Sequence, residues 1–126
     1  MISKKAKRLL TKLANGLEKK VKPEWFDLSS WAEHGWKRHK CGTTACAAGW
    51  ATTLVPESGL RLDREIELVH GRGWRTRYGF GACQSAFDLN FEQVIYLFDG
   101  FHYDRGRKID VIRRIRKFVK TGGEMP

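Results

Sequence analysis

The first stretch of the chain alternates apolar and basic positions with the period of an α-helix. Apolar residues recur every three or four positions, and lysines and arginines fill the positions between them. Ser3 is a suitable N-cap, and Lys22-Pro23 ends the pattern because a residue that precedes proline disfavours helical geometry. The pattern predicts an amphipathic basic helix over residues 3–21, whose apolar stripe faces the core: Ala6, Leu9, Leu10, Leu13, Leu17 and Val21.

The last stretch of the chain has the same design. Asp104 is placed to cap a basic helix over residues 105–120, and Gly122-Gly123 is placed to end it. The arginines and lysines lie off the predicted apolar stripe, which consists of Ile109, Ile112, Ile115, Phe118 and Val119.

Shorter helical segments are predicted between these two helices. One carries Trp31, and one spans residues 45–54, where small side chains permit close approach of a neighbour. A third follows a hinge at residues 79–81, and Asn90 caps a fourth with Gln93 at the reciprocal capping-box position. We expect the second of these to be the centre of the fold, with the surrounding core filled by Trp31, Trp50, Phe87 and Phe98.

Residues 64–78 change to an alternation with a period of two, which is typical of β-strands. The glycines of Gly71-Arg72-Gly73 suit a tight turn between two such strands. The pattern predicts a small β-hairpin with Arg72 at its tip, Arg75 and Arg77 on one face, and Trp74 and Tyr78 on the other.

These elements predict a mostly α (α+β) fold, a compact single domain of five to six helices with a small hairpin near residues 64–78. The length of 126 residues fits one domain with its own core. No apolar run reaches bilayer length, and no signal-peptide core follows Met1. Three cysteines, an odd number, favour free thiols, so a cytoplasmic location is expected.

The charge is concentrated at the two ends of the sequence. The chain has 24 lysines and arginines against 14 acidic residues, a net charge of +10. Residues 1–22 hold eight basic residues and one acid, residues 101–126 hold eight and three, and the middle holds eight and ten. Such ends attract polyanions such as nucleic acid, nucleotides or an acidic protein face. A solvated surface would account for the charge equally well.

The candidate nucleic-acid-binding residues lie on both terminal helices and on the hairpin. Arginine pairs with phosphate through its planar fork, and aromatic rings can stack on bases. A core position for Trp74 and Tyr78 with solvated arginines fits the same pattern. The candidates are Lys4, Lys5, Arg8, Arg72, Trp74, Arg75, Arg77, Arg113, Arg114, Arg116, Lys117 and Lys120.

The cysteines suggest chemistry less strongly. The spacings of His34, His39, Cys41 and Cys46 match no zinc pattern, so neither a metal nor another cofactor is predicted. Cys41 precedes a helix start beside basic residues, which would lower a thiol pKa, and His34 or His39 could act as its base. Burial of the thiol is the preferred interpretation, so no catalytic residue is predicted.

A weak anion site is predicted where this same helix starts. Gly42, Thr43 and Thr44 would present backbone amides to an anion, although plain N-capping by Thr43 explains the residues as well. With Arg75 and Arg77, this site could hold a small phosphorylated nucleotide.

Three stretches resemble a group of small uncharacterised proteins from bacteriophages and bacteria: FDLSSW at 26–31, CGTTACAAGWA at 41–51 and ACQSAFDLNFEQVIYLF at 82–98. In that group, a Phe-x-(Leu/Met)-x-x-Trp segment precedes a Cys-Gly-Thr-x-x-Cys-x-Ala-Gly-(Trp/His)-Ala block. A Leu-x-x-x-Gln-x-x-x-Leu-Phe pattern follows, here formed by Leu89, Gln93, Leu97 and Phe98. The group has no established activity. The resemblance therefore implies a small α-rich scaffold and a phage or mobile-element context, and so the cytosol of a host cell.

The predicted function is binding without catalysis. The anionic partner is expected to be nucleic acid or a host nucleoprotein complex, with an acidic protein as another candidate partner. Association with the phage context adds inhibition of a host defence system. Two alternatives come from other classes of protein: sequestration of a small phosphorylated nucleotide signal, and a cysteine-dependent enzyme.

Overall fold

The computed structural model describes residues 1–26, 47–62, 66–70, 75–100, 103 and 106–126. Five α-helices lie in these ranges and confirm the predicted mostly helical class. They are α1 (Lys4–Lys20), α2 (Ala47–Leu54), α3 (Gly79–Phe87), α4 (Phe91–Phe98) and α5 (Lys108–Lys120). The same ranges contain three short strands, β1 (Arg61–Leu62), β2 (Ile66–His70) and β3 (Arg75–Tyr78), and 3-10 turns at Pro23–Trp25 and Pro56–Ser58.

Helix α1 forms as its pattern predicts. The Ser3 hydroxyl accepts a hydrogen bond from the Ala6 backbone N–H at 3.1 Å, which satisfies one of the amides that lack a partner within the helix. Every residue of the predicted apolar stripe, including Val21 just after the helix, is buried. Burial of this stripe against the rest of the core, more than helix propensity, is what stabilises α1.

Helix α5 starts later than predicted, and Asp104 is not its N-cap. Arg107 occupies the N-cap position, and its backbone N–H donates to the Asp110 carboxylate at 3.2 Å. The Arg107 guanidinium also donates to Asp110, at 2.9 Å. A carboxylate in the first turn of the helix is favoured by the helix dipole, so Asp110 supplies the stabilising contact that was predicted for Asp104.

The apolar stripe of α5 differs from the prediction at Ile109, at Val111 and at Val119, which is only partly buried. Ile109 is 40% exposed, whereas Val111 is completely buried beside Ile112, Ile115 and Phe118. The buried positions recur at steps of one, three and three residues, which places Ile109 on the outer side of the helix.

The end of α5 is confirmed at Gly122-Gly123. The Gly123 N–H donates to the Phe118 carbonyl at 2.8 Å, and the Gly122 N–H donates to the Val119 carbonyl at 3.1 Å. These two bonds form a Schellman turn, which needs a residue with positive φ after the helix. Gly122 and Gly123 have φ angles of +74° and +103°.

Helices α1 and α5 pack antiparallel, and no other pair of elements in the described chain has a larger interface. At one end, the Ile2 N–H donates to the Gly122 carbonyl at 2.9 Å. At the other end, the Lys108 ammonium donates to the Val21 carbonyl at 2.6 Å. The largest contact in the described chain is therefore between the two terminal helices, and the central position of the 45–54 helix stays a prediction.

Helix α2 packs beside α1. The Leu54 side chain of α2 lies against Gly16 of α1. A Cβ atom added at Gly16 would lie only 3.1 Å from the Leu54 side chain. Trp50 is buried, stacks on Trp25 and donates its indole N–H to the Trp25 carbonyl at 2.9 Å. The predicted core positions of Trp50, Phe87 and Phe98 are confirmed, and Trp31 lies outside the described residues.

Helices α3 and α4 follow each other closely. Residues 79–81, predicted as a hinge, belong to α3. The predicted capping box of α4 is confirmed, since the Gln93 N–H donates to the Asn90 side chain at 2.8 Å and the Asn90 N–H donates to the Gln93 side chain at 2.9 Å. Phe87 of α3 and Phe98 of α4 pack with ring centroids 5.4 Å apart.

The three strands form an antiparallel sheet in the order β1–β2–β3, with α3 against β2 and β3. Glu67 is opposite Arg61 on one side and Tyr78 on the other. Residues 71–74, where the turn was predicted, lie outside the described part of the chain, so that turn stays a prediction.

Replacing Gly123 by alanine should destabilise the protein by about 1–2 kcal/mol, because a side chain at positive φ is strained. The new Cβ would also lie 2.7 Å from Ile2 Cγ2. Urea unfolding measures the change. Gly81→Ala is the matched control, since its Cβ would meet nothing within 4 Å and should stabilise α3 by about 0.5–1 kcal/mol. Equal effects of the two substitutions would contradict the role of the C-terminal turn.

Candidate nucleic-acid interface

The positive charge of the chain is concentrated in the α1–α5 pair. These two helices carry thirteen of the 24 lysines and arginines and two of the 14 acidic residues. The rest of the chain, with eleven basic and twelve acidic residues, is close to neutral. Two segments that are far apart in the sequence thus form one strongly basic unit, which neither segment reveals alone.

The antiparallel packing places the start of α1 beside the end of α5. We call this region the basic end and define it as the first two turns of α1 and the last two turns of α5. Apart from Arg116, which is paired with Glu18, its exposed cations have no ion-pair partner within the described ranges, and all of them were predicted as binding residues. They are Lys4, Lys5, Arg8, Arg113, Lys117 and Lys120.

Arg116 has a structural role instead. Its guanidinium donates to both carboxylate oxygens of Glu18, at 2.9 and 3.1 Å, and to the Asn15 side chain at 3.1 Å. Hydrogen bonding and the charge of Arg116 lower the pKa of the Glu18 carboxyl below its ordinary value. A charge reversal at Arg116 would place a second carboxylate beside Glu18, and would therefore test this contact rather than ligand binding.

Arg114 is also directed into the protein. Its guanidinium lies 3.6 Å from the ring centroid of Tyr103 and 4.4 Å from that of Tyr96, and donates to the Tyr96 carbonyl at 2.8 Å. The Tyr103 hydroxyl donates to the Leu97 carbonyl at 2.7 Å, and burial raises the pKa of Tyr103. Because its charge is used in these cation–π and hydrogen-bond contacts, Arg114 holds Tyr103 against α5.

A shallow, open depression lies along the outer side of α1. Its lining residues recur at helical spacing on the face opposite the leucines. The sequence pattern alone could therefore have identified them. They are Lys4, Lys7, Arg8, Thr11, Lys12 and Asn15. Lys12 forms an ion pair with Glu57 at 2.7 Å, which lowers the Glu57 pKa, so Lys12 is partly neutralised.

The first turn of α1 departs from the usual charge preference of helices. Lys4 and Lys5 lie there, and the turn contains no acidic residue. Cations near a helix N-terminus interact unfavourably with the helix dipole. A local cost of this kind is typical of residues that are kept for binding rather than for stability.

The remaining predicted site residues cannot be assembled into a site. Arg72, Trp74 and the Gly42, Thr43 and Thr44 group lie outside the described residues, as do His34, His39, Cys41 and Cys46. The backbone of Arg75 and Arg77 lies in β3, opposite His70 and Leu68. The nucleotide-pocket and cysteine-enzyme alternatives therefore stay predictions. Cys83, in contrast, is buried in the core.

No group of three or more histidine, cysteine, aspartate or glutamate side chains within the described ranges of the chain could hold a metal ion. Within the same ranges, no helix is both long and apolar enough to cross a membrane. Comparison with known proteins found no matching protein family, curated protein or solved structure.

We expect Arg114→Ala to destabilise the protein by about 2 kcal/mol, because it removes a cation–π contact and a charged hydrogen bond. Arg113→Ala removes the same charge from an exposed position and should change the free energy of unfolding by less than about 0.5 kcal/mol. Thermal unfolding of the two variants measures the difference. Equal stability would mean that the contacts of Arg114 with Tyr96 and Tyr103 do not stabilise the fold.

The Glu18–Arg116 contact should make stability depend on pH. Because the folded-state pKa of Glu18 is lowered, its stabilising contribution is complete above its ordinary pKa of 4.5 and is lost as the pH falls further. Glu18→Gln should therefore reduce the loss of stability between about pH 5 and pH 3. The Tm measured across this range should be compared with that of Glu124→Gln, an exposed change near the C-terminus. Parallel curves for the two variants would exclude the linkage.

Proposed function

We propose that the basic end binds nucleic acid, alone or within a nucleoprotein complex, through its phosphates and without catalysis. The observation that supports this most strongly is the antiparallel contact between Ile2 and Gly122, at 2.9 Å. It brings the cations of α1 and α5 to one end of the pair. Clusters of exposed lysine and arginine attract phosphates and release condensed counterions when they bind.

The distribution of the acidic side chains supports the same proposal. Glu18, Glu57 and Asp110 each form an ion pair with a basic residue of the protein. Residues 4–12 of α1 and residues 113–120 of α5 contain no carboxylate. Among the described residues, Glu57 opposes the charge of Lys12 and Glu18 opposes that of Arg116, so an approaching polyanion would meet an excess of positive charge along both segments.

The resemblance to small phage and bacterial proteins suggests the setting. We propose that nucleic-acid binding by this chain blocks a host system, which would be consistent with a non-enzymatic inhibitor in the host cytosol. This step rests on association with the group alone.

Replacing Lys117 and Lys120 together by glutamine should weaken binding to a DNA duplex. Loss of two phosphate contacts should reduce the slope of log K against log salt by about 2. Fluorescence anisotropy at several salt concentrations measures both quantities. Lys19→Gln with Lys20→Gln is the matched control, because it removes the same charge at the other end of α1.

Lys4→Gln with Lys5→Gln should also weaken binding, but should raise the Tm slightly because two cations leave the positive end of the helix dipole. Opposite changes in affinity and stability would separate a binding role from a structural one. Absence of binding by the unaltered protein at physiological salt would overturn the proposal. An equal loss in the Lys19/Lys20 control would overturn its location.

A further inference from the structure

We infer that the basic end recognises the sugar–phosphate backbone of a nucleic-acid duplex, independently of base sequence. This inference rests on the proposed function and specifies its ligand. It follows from three properties of the α1–α5 pair: the way its flanks are covered, the absence of exposed rings on it, and the type of cation it presents.

The first property is that neighbours cover both flanks of α1. On one side, Glu18 is bonded to Arg116 of α5. On the other side, Lys12 is bonded to Glu57, and Leu54 lies against Gly16. Both flanks of α1 are therefore occupied over residues 12–18, whereas the outer face at Lys4, Arg8 and Thr11 is exposed.

The flanks of α5 are covered in a similar way. Helix α1 lies on one side of it, and on the other side Arg114 binds the Tyr96 carbonyl of α4 while Tyr96 packs on Phe118. An isolated helix is about 10–12 Å wide with its side chains, which matches the roughly 12 Å major groove of B-form DNA. Two packed helices, with axes about 8–10 Å apart, are too wide to enter it. Both rows of cations can therefore make contact at the same time only if the pair lies across the phosphates.

The second property is the absence of a stacking surface on these helices. Helix α1 contains no aromatic residue, and Phe118, the one aromatic residue of α5, is buried. The nearby rings of Tyr96 and Tyr103 are already in contact with Arg114. Proteins that hold single strands usually stack bases on exposed rings, so this surface lacks the main source of affinity for a single strand.

The third property is the chemistry of the cations. Apart from Arg116, four of the six exposed cations of the basic end are lysines: Lys4, Lys5, Lys117 and Lys120. Lysine acts as a point charge on phosphate, whereas arginine makes the paired hydrogen bonds that read guanine. Lys4 and Arg8 are about 6 Å apart along the helix axis, as are Arg113 and Lys117, so each helix presents a regular row of charge. A duplex, with one charge per roughly 1.7 Å of axis, offers such rows a denser set of phosphates than a single strand does.

The test compares duplex DNA with single-stranded DNA at several salt concentrations. The probes are two 20-base-pair duplexes of unrelated sequence and a thymine-only single strand with the same number of phosphates. If six cations make contact, the slope of log K against log salt should be about −5 for a duplex and about −4 for the single strand. That difference corresponds to roughly tenfold tighter duplex binding at physiological salt. The two duplexes should bind equally within about twofold.

Three outcomes separate this inference from the proposed function. Equal or tighter binding of the single strand would overturn the inference and leave nucleic-acid binding intact. A duplex preference that depends strongly on sequence would overturn backbone recognition. Failure to bind any of the probes at physiological salt would overturn the proposed function, and the inference with it. Arg8→Gln should weaken binding to both duplexes by the same factor, whereas a base-reading arginine would lose affinity for one of them selectively.

Discussion

The antiparallel contact between α1 and α5 is the interaction on which the rest of the structure depends. Its apolar part is the leucine stripe of α1 against the buried valine, isoleucine and phenylalanine side chains of α5. The hydrogen bond from Ile2 to Gly122 and that from Lys108 to Val21 hold its two ends. Burial of apolar area is the main driving force for such a contact, and the end contacts define its register.

This contact also carries an electrostatic cost, because it brings together two helices of the same sign. The structure reduces that cost by placing a few acidic residues where they neutralise specific cations, as Glu18 does for Arg116 and Glu57 for Lys12. Lys12 and Arg116 are neutralised in this way, whereas the other exposed cations of the basic end have no ion-pair partner in the described chain. Exposed ion pairs contribute little stability in water, so their main consequence here is which charges remain available to a ligand.

The arginines of α5 show how one residue type takes separate roles on a single helix. Arg113, Arg114 and Arg116 are nearly adjacent in the sequence, but the 100° step between consecutive residues directs them to different surroundings. Arg114 meets the rings of Tyr96 and Tyr103, Arg116 meets Glu18, and Arg113 meets solvent. The binding capacity of the helix is therefore smaller than its charge suggests, and the removal of different arginines tests different properties.

Hydrophobic periodicity and capping chemistry determined much of this protein from the sequence alone. Ser3 before α1, the Asn90–Gln93 capping box and the Gly122-Gly123 ending were predicted because each is a local interaction between residues close in sequence. Asp104 was wrongly predicted as the N-cap of α5, because the helix starts where the Arg107 N–H can donate to Asp110. Ile109 was wrongly predicted as buried, because the side of the helix that faces the core is set by tertiary packing. The pairing of the terminal helices, and with it the basic end and the internal roles of Arg114 and Arg116, was decided only by the tertiary structure. Contacts between residues about a hundred positions apart leave no periodic trace in the sequence, since they depend on how complete elements pack.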